Sequence, residues 1–292
     1  MHLPHHGRYA YSALPQRPDF DWPGGRRLAV YLGVNVECFG FGAGLGAELA
    51  PGGPQPDVLN HAWRDYGNRV GLWRIMDLCN RLHLPCTALI NSEIFTAAPG
   101  LGEAFIARGD EIAGHGRSNA ERQGTLPEAE EQALIAEATA VLTARTGLAP
   151  KGWLGPWISH SHVTPDLLHE AGYQYLLDWC HDDQPVWMQT RQGRILSVPY
   201  PQELNDIPQI VGRKREGAEF CDMIIDAFEV MLAESERRPL VMGIALHGYI
   251  MGQPHRFRHL QRALRHLTDR AGDAVWFTTA GAINDHFRRL GL

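Results

Sequence analysis

The chain has 292 residues, 44% of them hydrophobic and 21% charged, with a formal net charge of −6. Those values describe a globular chain long enough for one large α/β domain, and the negative balance argues against nucleic acid or an anionic membrane as partner. Cys38, Cys79, Cys86, Cys180 and Cys221 form no CxxC pair, and their odd number rules out a complete intrachain disulfide framework. With no apolar run near the ~18 residues of a membrane helix and no signal-peptide pattern at the N-terminus, a cytoplasmic location is expected.

Residues 1–25, rich in Pro, Gly, His and aromatic residues, read as an extended arm that ends in the turn Trp22-Pro23-Gly24-Gly25. Residues 26–292 then read as one catalytic domain. Leu28–Val34 is almost continuously apolar, the pattern of a strand buried on both faces. Beyond it Asn35 and Glu37 share one face by period-two alternation. The Gly- and Pro-rich segment 39–65 is a long loop, and long loops in compact domains are usually functional. A helix through Leu82 leads to a second buried strand, Cys86–Ile90. Ser92 is a fair N-cap for a helix running to Arg108. The third strand, Ile112–Gly114, delivers His115, with Asn119 one helical turn later.

Thr125 and Glu128 have capping-box spacing for a helix from Leu126 to Gly147. Gly152–Leu154 is a fourth strand, running into a turn that presents Trp157, and Thr164-Pro165-Asp166 opens a helix ended by Gly172. Tyr175–Leu177 and Leu196–Val198 follow as strands, the first ending near Asp178, Asp182 and Asp183, the second at Glu203–Asp206. After a helix over 220–236, the strand Val241–Leu246 ends in His247. A basic helix, a short strand over 274–277 and a closing helix from Ala280 complete the chain. Strand and helix alternate without a change of composition, which describes a single α/β domain, most simply a parallel barrel. The dinucleotide fingerprint, the P-loop and the G-x-S-x-G elbow are all missing from the sequence.

Glu37 with Asn35, His115 with Asn119, the Asp178–Asp183 group and His247 all fall at strand C-terminal ends, which meet at one mouth of a parallel barrel. A carboxylate and a histidine facing each other there are the parts of general base and general acid hydrolysis. Trp153, Trp157, Trp179 and Trp187 would add planar apolar walls suited to a ring substrate.

The stretches Trp22–Gly25, Asn35-Val36-Glu37, Tyr66-Gly67-Asn68-Arg69-Val70-Gly71-Leu72-Trp73-Arg74, Gly114-His115, Asp182–Trp187, Leu246-His247 and Gly252-Gln253-Pro254 resemble the polysaccharide deacetylase (NodB-homology) superfamily over about residues 20–290. The branch they resemble holds metal-independent allantoinases, cyclic imidases and a peptidoglycan deacetylase. The resemblance implies a distorted (β/α)7 barrel and a hydrolase of carbon–nitrogen bonds other than peptide bonds, acting on an amide, a cyclic ureide or imide, or an N-acetyl group. It implies Glu37, His247 and His115 as catalytic residues, with Asn35, Asn119, Trp157, Asp183 and Trp187 binding substrate. A typical member carries paired Asp residues after the first strand and His-x-x-x-His on its metal. Here Asn35 and Glu37 stand at the first motif, and Asn119 replaces the second His. An amide oxygen is a poor substitute for imidazole on zinc, so no cofactor is expected to be required. If a weakly bound divalent metal such as zinc is held, Glu37, His115 and Asn119 are its ligands. The other readings are a metal-dependent polysaccharide or peptidoglycan N-deacetylase and a catalytically inactive binding protein. The branch also implies a homodimer or homotetramer.

Overall fold

The computed structural model describes residues 5–292; the first four residues of the expected arm lie outside this range. Nine strands form one sheet: β1 (Leu28–Val36), β2 (Cys86–Ile90), β3 (Glu111–Gly114), β4 (Gly152–Trp153), β5 (Tyr175–Leu176), β6 (Val186–Thr190), β7 (Gly193–Ser197), β8 (Leu240–His247) and β9 (Val275–Thr278). Their order is β6-β7-β5-β4-β3-β2-β1-β8, with β9 beside the start of β1. Every pairing is parallel except the β6–β7 hairpin, where Gln189 opposes Arg194. The sheet curls until its far edges nearly meet. After β7 the chain pairs with β8 only through Asn205 and Ala245, where Ala245 N–H donates to the Leu204 carbonyl at 2.9 Å. The fold is therefore the distorted α/β barrel expected, with a single bridge where a full strand pair would close it.

Alternation along each strand sorts side chains between two cores. On β1, Leu28, Val30, Leu32, Val34 and Val36 pack under the surrounding helices, while Ala29 and Tyr31 fill the barrel interior. On β8, Leu240, Met242, Ile244 and Leu246 face outward, and Val241 and Ala245 inward. The closing helix Ala280–Leu290 brings Ala280, Ile283 and Phe287 to the barrel core, beside Trp22.

Some expectations shift. The helix expected from Ser92 to Arg108 is two, Ile94–Ala97 and Pro99–Ala107, broken where Pro99 cannot donate a helical hydrogen bond. The capping box at Thr125 is not formed. The helix there is Glu128–Thr146, capped at Pro127, and Thr125 Oγ1 donates instead to the Arg122 carbonyl at 2.8 Å. A true capping box pairs Glu216 with Glu219 at the start of Gly217–Ser235. The arm docks through ion pairs, Arg8 to Asp166 at 2.7 Å and Arg17 to Asp182 at 2.6 Å.

Between the helices Val58–Tyr66 and Leu72–Leu82, residues Gly67–Gly71 form a π-helical turn, a feature common at functional sites. Two glycines explain it. A Cβ on Gly67 would stand 2.7 Å from the Tyr249 nitrogen, and one on Gly71 would stand 1.9 Å from the Gly248 carbonyl oxygen. This close approach seats the short helix Gly248–Met251, and with it Tyr249, directly above the barrel mouth.

Candidate active site

The inward rows of the strands end in polar residues. The row Ala29-Tyr31-Gly33 on β1 continues into Asn35 and Glu37, Thr87-Leu89 on β2 into Asn91, Glu111-Ala113 on β3 into His115, and Val241-Gly243-Ala245 on β8 into His247. Glu37, Asn91, His115 and His247 are all buried. Glu37 Oε1 lies 3.4 Å from His247 Nε2 and 3.5 Å from His115 Nε2. The Asn119 amide donates to the same oxygen at 2.7 Å, and Tyr249 Oη donates to Oε2 at 3.0 Å. Behind His247 sits Asp206, whose Oδ1 is 2.6 Å from Nδ1 and whose Oδ2 accepts the His247 backbone N–H at 2.8 Å. His115 Nδ1 lies 2.7 Å from the Leu154 carbonyl. A carbonyl only accepts, so Nδ1 carries the proton, and Nε2 points into the site without a hydrogen-bond partner.

Burial alone would raise the Glu37 pKa, but the charge of the neighbouring His247 leads the interactions that outweigh it and hold the carboxyl well below its usual range. Burial would lower that of His247, yet Glu37 and Asp206 on either side push it up to about 10. The pair is therefore carboxylate and imidazolium at neutral pH.

These groups line a cavity of about 120 Å³ together with Asn35, Phe39, Trp157, Tyr200, Gln202 and Asn205. Asn35 is fixed by donating to Tyr200 Oη at 3.1 Å. Trp157 roofs the cavity, its indole donating to the Asn119 carbonyl at 2.8 Å. Trp157 and Ile158 both take left-handed backbone, φ +63° and +52°, which is costly for a β-branched residue and typical of strain kept at a site. A larger cavity of about 620 Å³ lies under the arm, but its lining is mostly apolar and includes none of the buried Glu37–His115–His247 group.

No protein-family model matches the chain. A Schizosaccharomyces pombe protein named for polysaccharide deacetylase is 28% identical over 275 residues, 88% of this chain and 84% of that one. The crystal structure of a Pseudomonas aeruginosa protein named as a probable polysaccharide deacetylase superposes with a TM-score of 0.82 at 29% identity, covering 94% of this chain and 95% of that one. Puue allantoinase superposes with a TM-score of 0.81 at 28% identity, covering 94% of each chain. Over nearly its whole length the chain is thus similar both to proteins named as polysaccharide deacetylases and to an allantoinase.

Against that family pattern, the structure brings Glu37, His115, His247, Asn35, Asn119 and Trp157 to one cavity. It does not bring Asp183 or Trp187 there. The Asp183 carbonyl accepts from Val241 N–H at the start of β8, about 20 Å below His247 at ~3.3 Å per residue. Trp187 lines the large cavity under the arm, stacked on Arg194 at 4.1 Å, because the β6–β7 hairpin carries it down the barrel. Nor do the four tryptophans cluster. Trp153 is in the core beneath the helices, and Trp179 packs against Tyr9 and His181. Asp178 supports the roof, accepting from Gly155 N–H at 2.6 Å.

Asp206, Tyr249 and Asn91 were not singled out from sequence. Asn91 obeys the same inward rule as Glu37 and could have been found by it. Asp206 lies beyond the end of β7 in irregular chain, and Tyr249 is placed by the glycine contact, so neither has a periodic signal.

A divalent metal does not fit the residues present. Both Glu37 oxygens accept hydrogen bonds, and Asn119 turns its nitrogen, not its oxygen, toward them. Among the described residues, no cluster of three or more His, Cys, Asp or Glu side chains is placed to hold a metal ion.

Proposed function

We propose that this protein is a hydrolase of carbon–nitrogen bonds other than peptide bonds, acting on a small cyclic amide, ureide or imide without a metal. The observation that carries the reading is the buried Glu37–His247 pair at 3.4 Å, backed by Asp206, at the wall of a small roofed cavity. An ionised carboxylate beside an imidazolium supplies base and acid at one pH. Glu37 takes a proton from water as its oxygen bonds to the substrate carbonyl carbon. His115 Nε2 accepts a hydrogen bond from that water or from a substrate N–H. His247 Nε2–H then delivers its proton to the departing nitrogen as the C–N bond breaks, and the proton on Glu37 returns to His247 across the pair. The products are a carboxylic acid and an amine or amide, joined by the remainder of the opened ring.

The size of the cavity favours a small ring over an acetamido sugar within a polymer, which needs an open groove. Screening purified protein against cyclic ureides, cyclic imides and acetamido sugars, with and without chelator, tests the choice. Ring opening that survives chelator is expected. Deacetylation of sugars that chelator abolishes would favour the metal-dependent N-deacetylase, and no turnover of any amide would leave a binding protein.

A further inference from the structure

We propose that Asn91 is a positioning residue that keeps the site closed to divalent cations, by locking Asn119 with its amide nitrogen on Glu37 and its oxygen turned away. The proposal rests on the metal-independent reading of the site and assigns that property to a residue beyond the cavity wall.

The argument is a chain of donors and acceptors that begins at the backbone. Cys38 N–H can only donate, so the Asn91 atom 2.7 Å from it is the oxygen Oδ1. The other end of the Asn91 side chain is then its nitrogen. That nitrogen donates to the His115 carbonyl, which accepts only, and this fixes the same orientation a second time. It also faces Asn119 at 3.0 Å, and a donor there requires the Asn119 oxygen. The Asn119 nitrogen is left facing Glu37 Oε1 at 2.7 Å. Each amide is thus set by the one before it, and turning Asn119 alone would oppose nitrogen to nitrogen and oxygen to carboxylate. Both costs would fall in a buried site where an unpaired polar group is expensive.

The backbone ties the same residues together. Asn119 N–H donates to the Cys38 carbonyl at 2.8 Å, so the segments bearing Glu37 and Asn119 move as one. Without the lock, Asn119 could turn its oxygen inward beside the free His115 Nε2 and the Glu37 carboxylate, and those three make an oxygen–nitrogen donor set for a borderline cation. With the lock, an N–H bond stands where the cation would sit.

Metal binding itself is the test and requires no turnover, so a protein inactive on every amide would sink the hydrolase reading without touching this one. Wild-type, Asn91→Asp, Asn91→Ala and Asn119→Asp proteins are titrated with Co²⁺ alone and followed by its visible absorption, with folding checked by thermal melting. Asn91→Asp keeps the acceptor for Cys38 but loses both donors, and Asn119→Asp keeps Asn91 satisfied while presenting an oxygen to the site. We expect no saturable site in the wild type at micromolar Co²⁺ and one site per chain in Asn119→Asp. The Asn91 variants should bind about ten- to hundred-fold more tightly than the wild type, the usual influence of a supporting hydrogen bond on metal affinity. One tightly held Co²⁺ per wild-type chain, or no gain in Asn119→Asp, overturns the proposal. So does a gain in Asn119→Asp that neither Asn91 variant shares. Failure of both Asn91 variants to fold also overturns it, by making Asn91 a residue of the fold.

Discussion

Glu37 and His247 stabilise each other's charge, and this moves both titrations outward. Glu37 is held low, so its contribution to stability is present above its ordinary pKa of 4.5 and is lost as pH falls through the folded value. His247 is raised to about 10, so its contribution is fully present below 6.5 and is lost as pH rises through 10. Activity should therefore show a broad plateau at neutral pH rather than a narrow bell. Glu37→Gln and His247→Ala should each lower turnover by roughly 10²–10⁴, the usual contribution of a positioned acid or base, and melting should confirm that both fold. Asp206→Asn removes one of the two carboxylates around His247, so the alkaline limb should move to lower pH, which a rate profile checks directly. An unmoved limb would mean that Asp206 holds the ring without tuning it. At this scale the sequence was legible wherever a side chain continued a strand's inward row, as Glu37, His115 and His247 do. It was silent on which charges meet. Asp206 lies 41 residues from His247 and reaches it only because the irregular chain after β7 bridges to β8.

The strands were most legible where they are buried from end to end and read as apolar runs, as β1, β2 and β8 are; β2 spans Cys86–Ile90 as expected. The β6–β7 hairpin was half missed because β6, at the sheet edge, has the mixed burial of a partly solvated strand. The turn Gly67–Gly71 illustrates how an element can matter to a site without touching its cavity. Its glycines have ordinary right-handed backbone, φ −66° at Gly71, so what they supply is room rather than flexibility. Gly71→Ala would drive a methyl into the Gly248 carbonyl and displace Tyr249 from Glu37. A loss of about 1–3 kcal/mol is expected in denaturant unfolding, the range for overpacking, with a fall in turnover beyond that of Tyr249→Phe. If Gly71→Ala melts like the wild type, the contact is looser than drawn.

Across the whole molecule, the barrel delivers every polar row to one mouth, which is why a sequence with no single strong motif could still point to its site. The assembly expected from the resemblance, a homodimer or homotetramer, remains our proposal; a monomeric mass by light scattering at micromolar concentration would refute it. No described helix is long and apolar enough to cross a membrane. The account stands on one claim, that Glu37 and His247 open an amide ring as a carboxylate–imidazolium pair without a metal. Its most direct test is the pH dependence of kcat/KM for a hydrolysed cyclic amide, in excess chelator, for wild type and His247→Ala. The account predicts wild-type activity indifferent to chelator, with an alkaline limb near 10 that vanishes along with most of the rate in the variant. Activity lost to chelator and restored by zinc, or a variant that keeps both its rate and its limb, would contradict it.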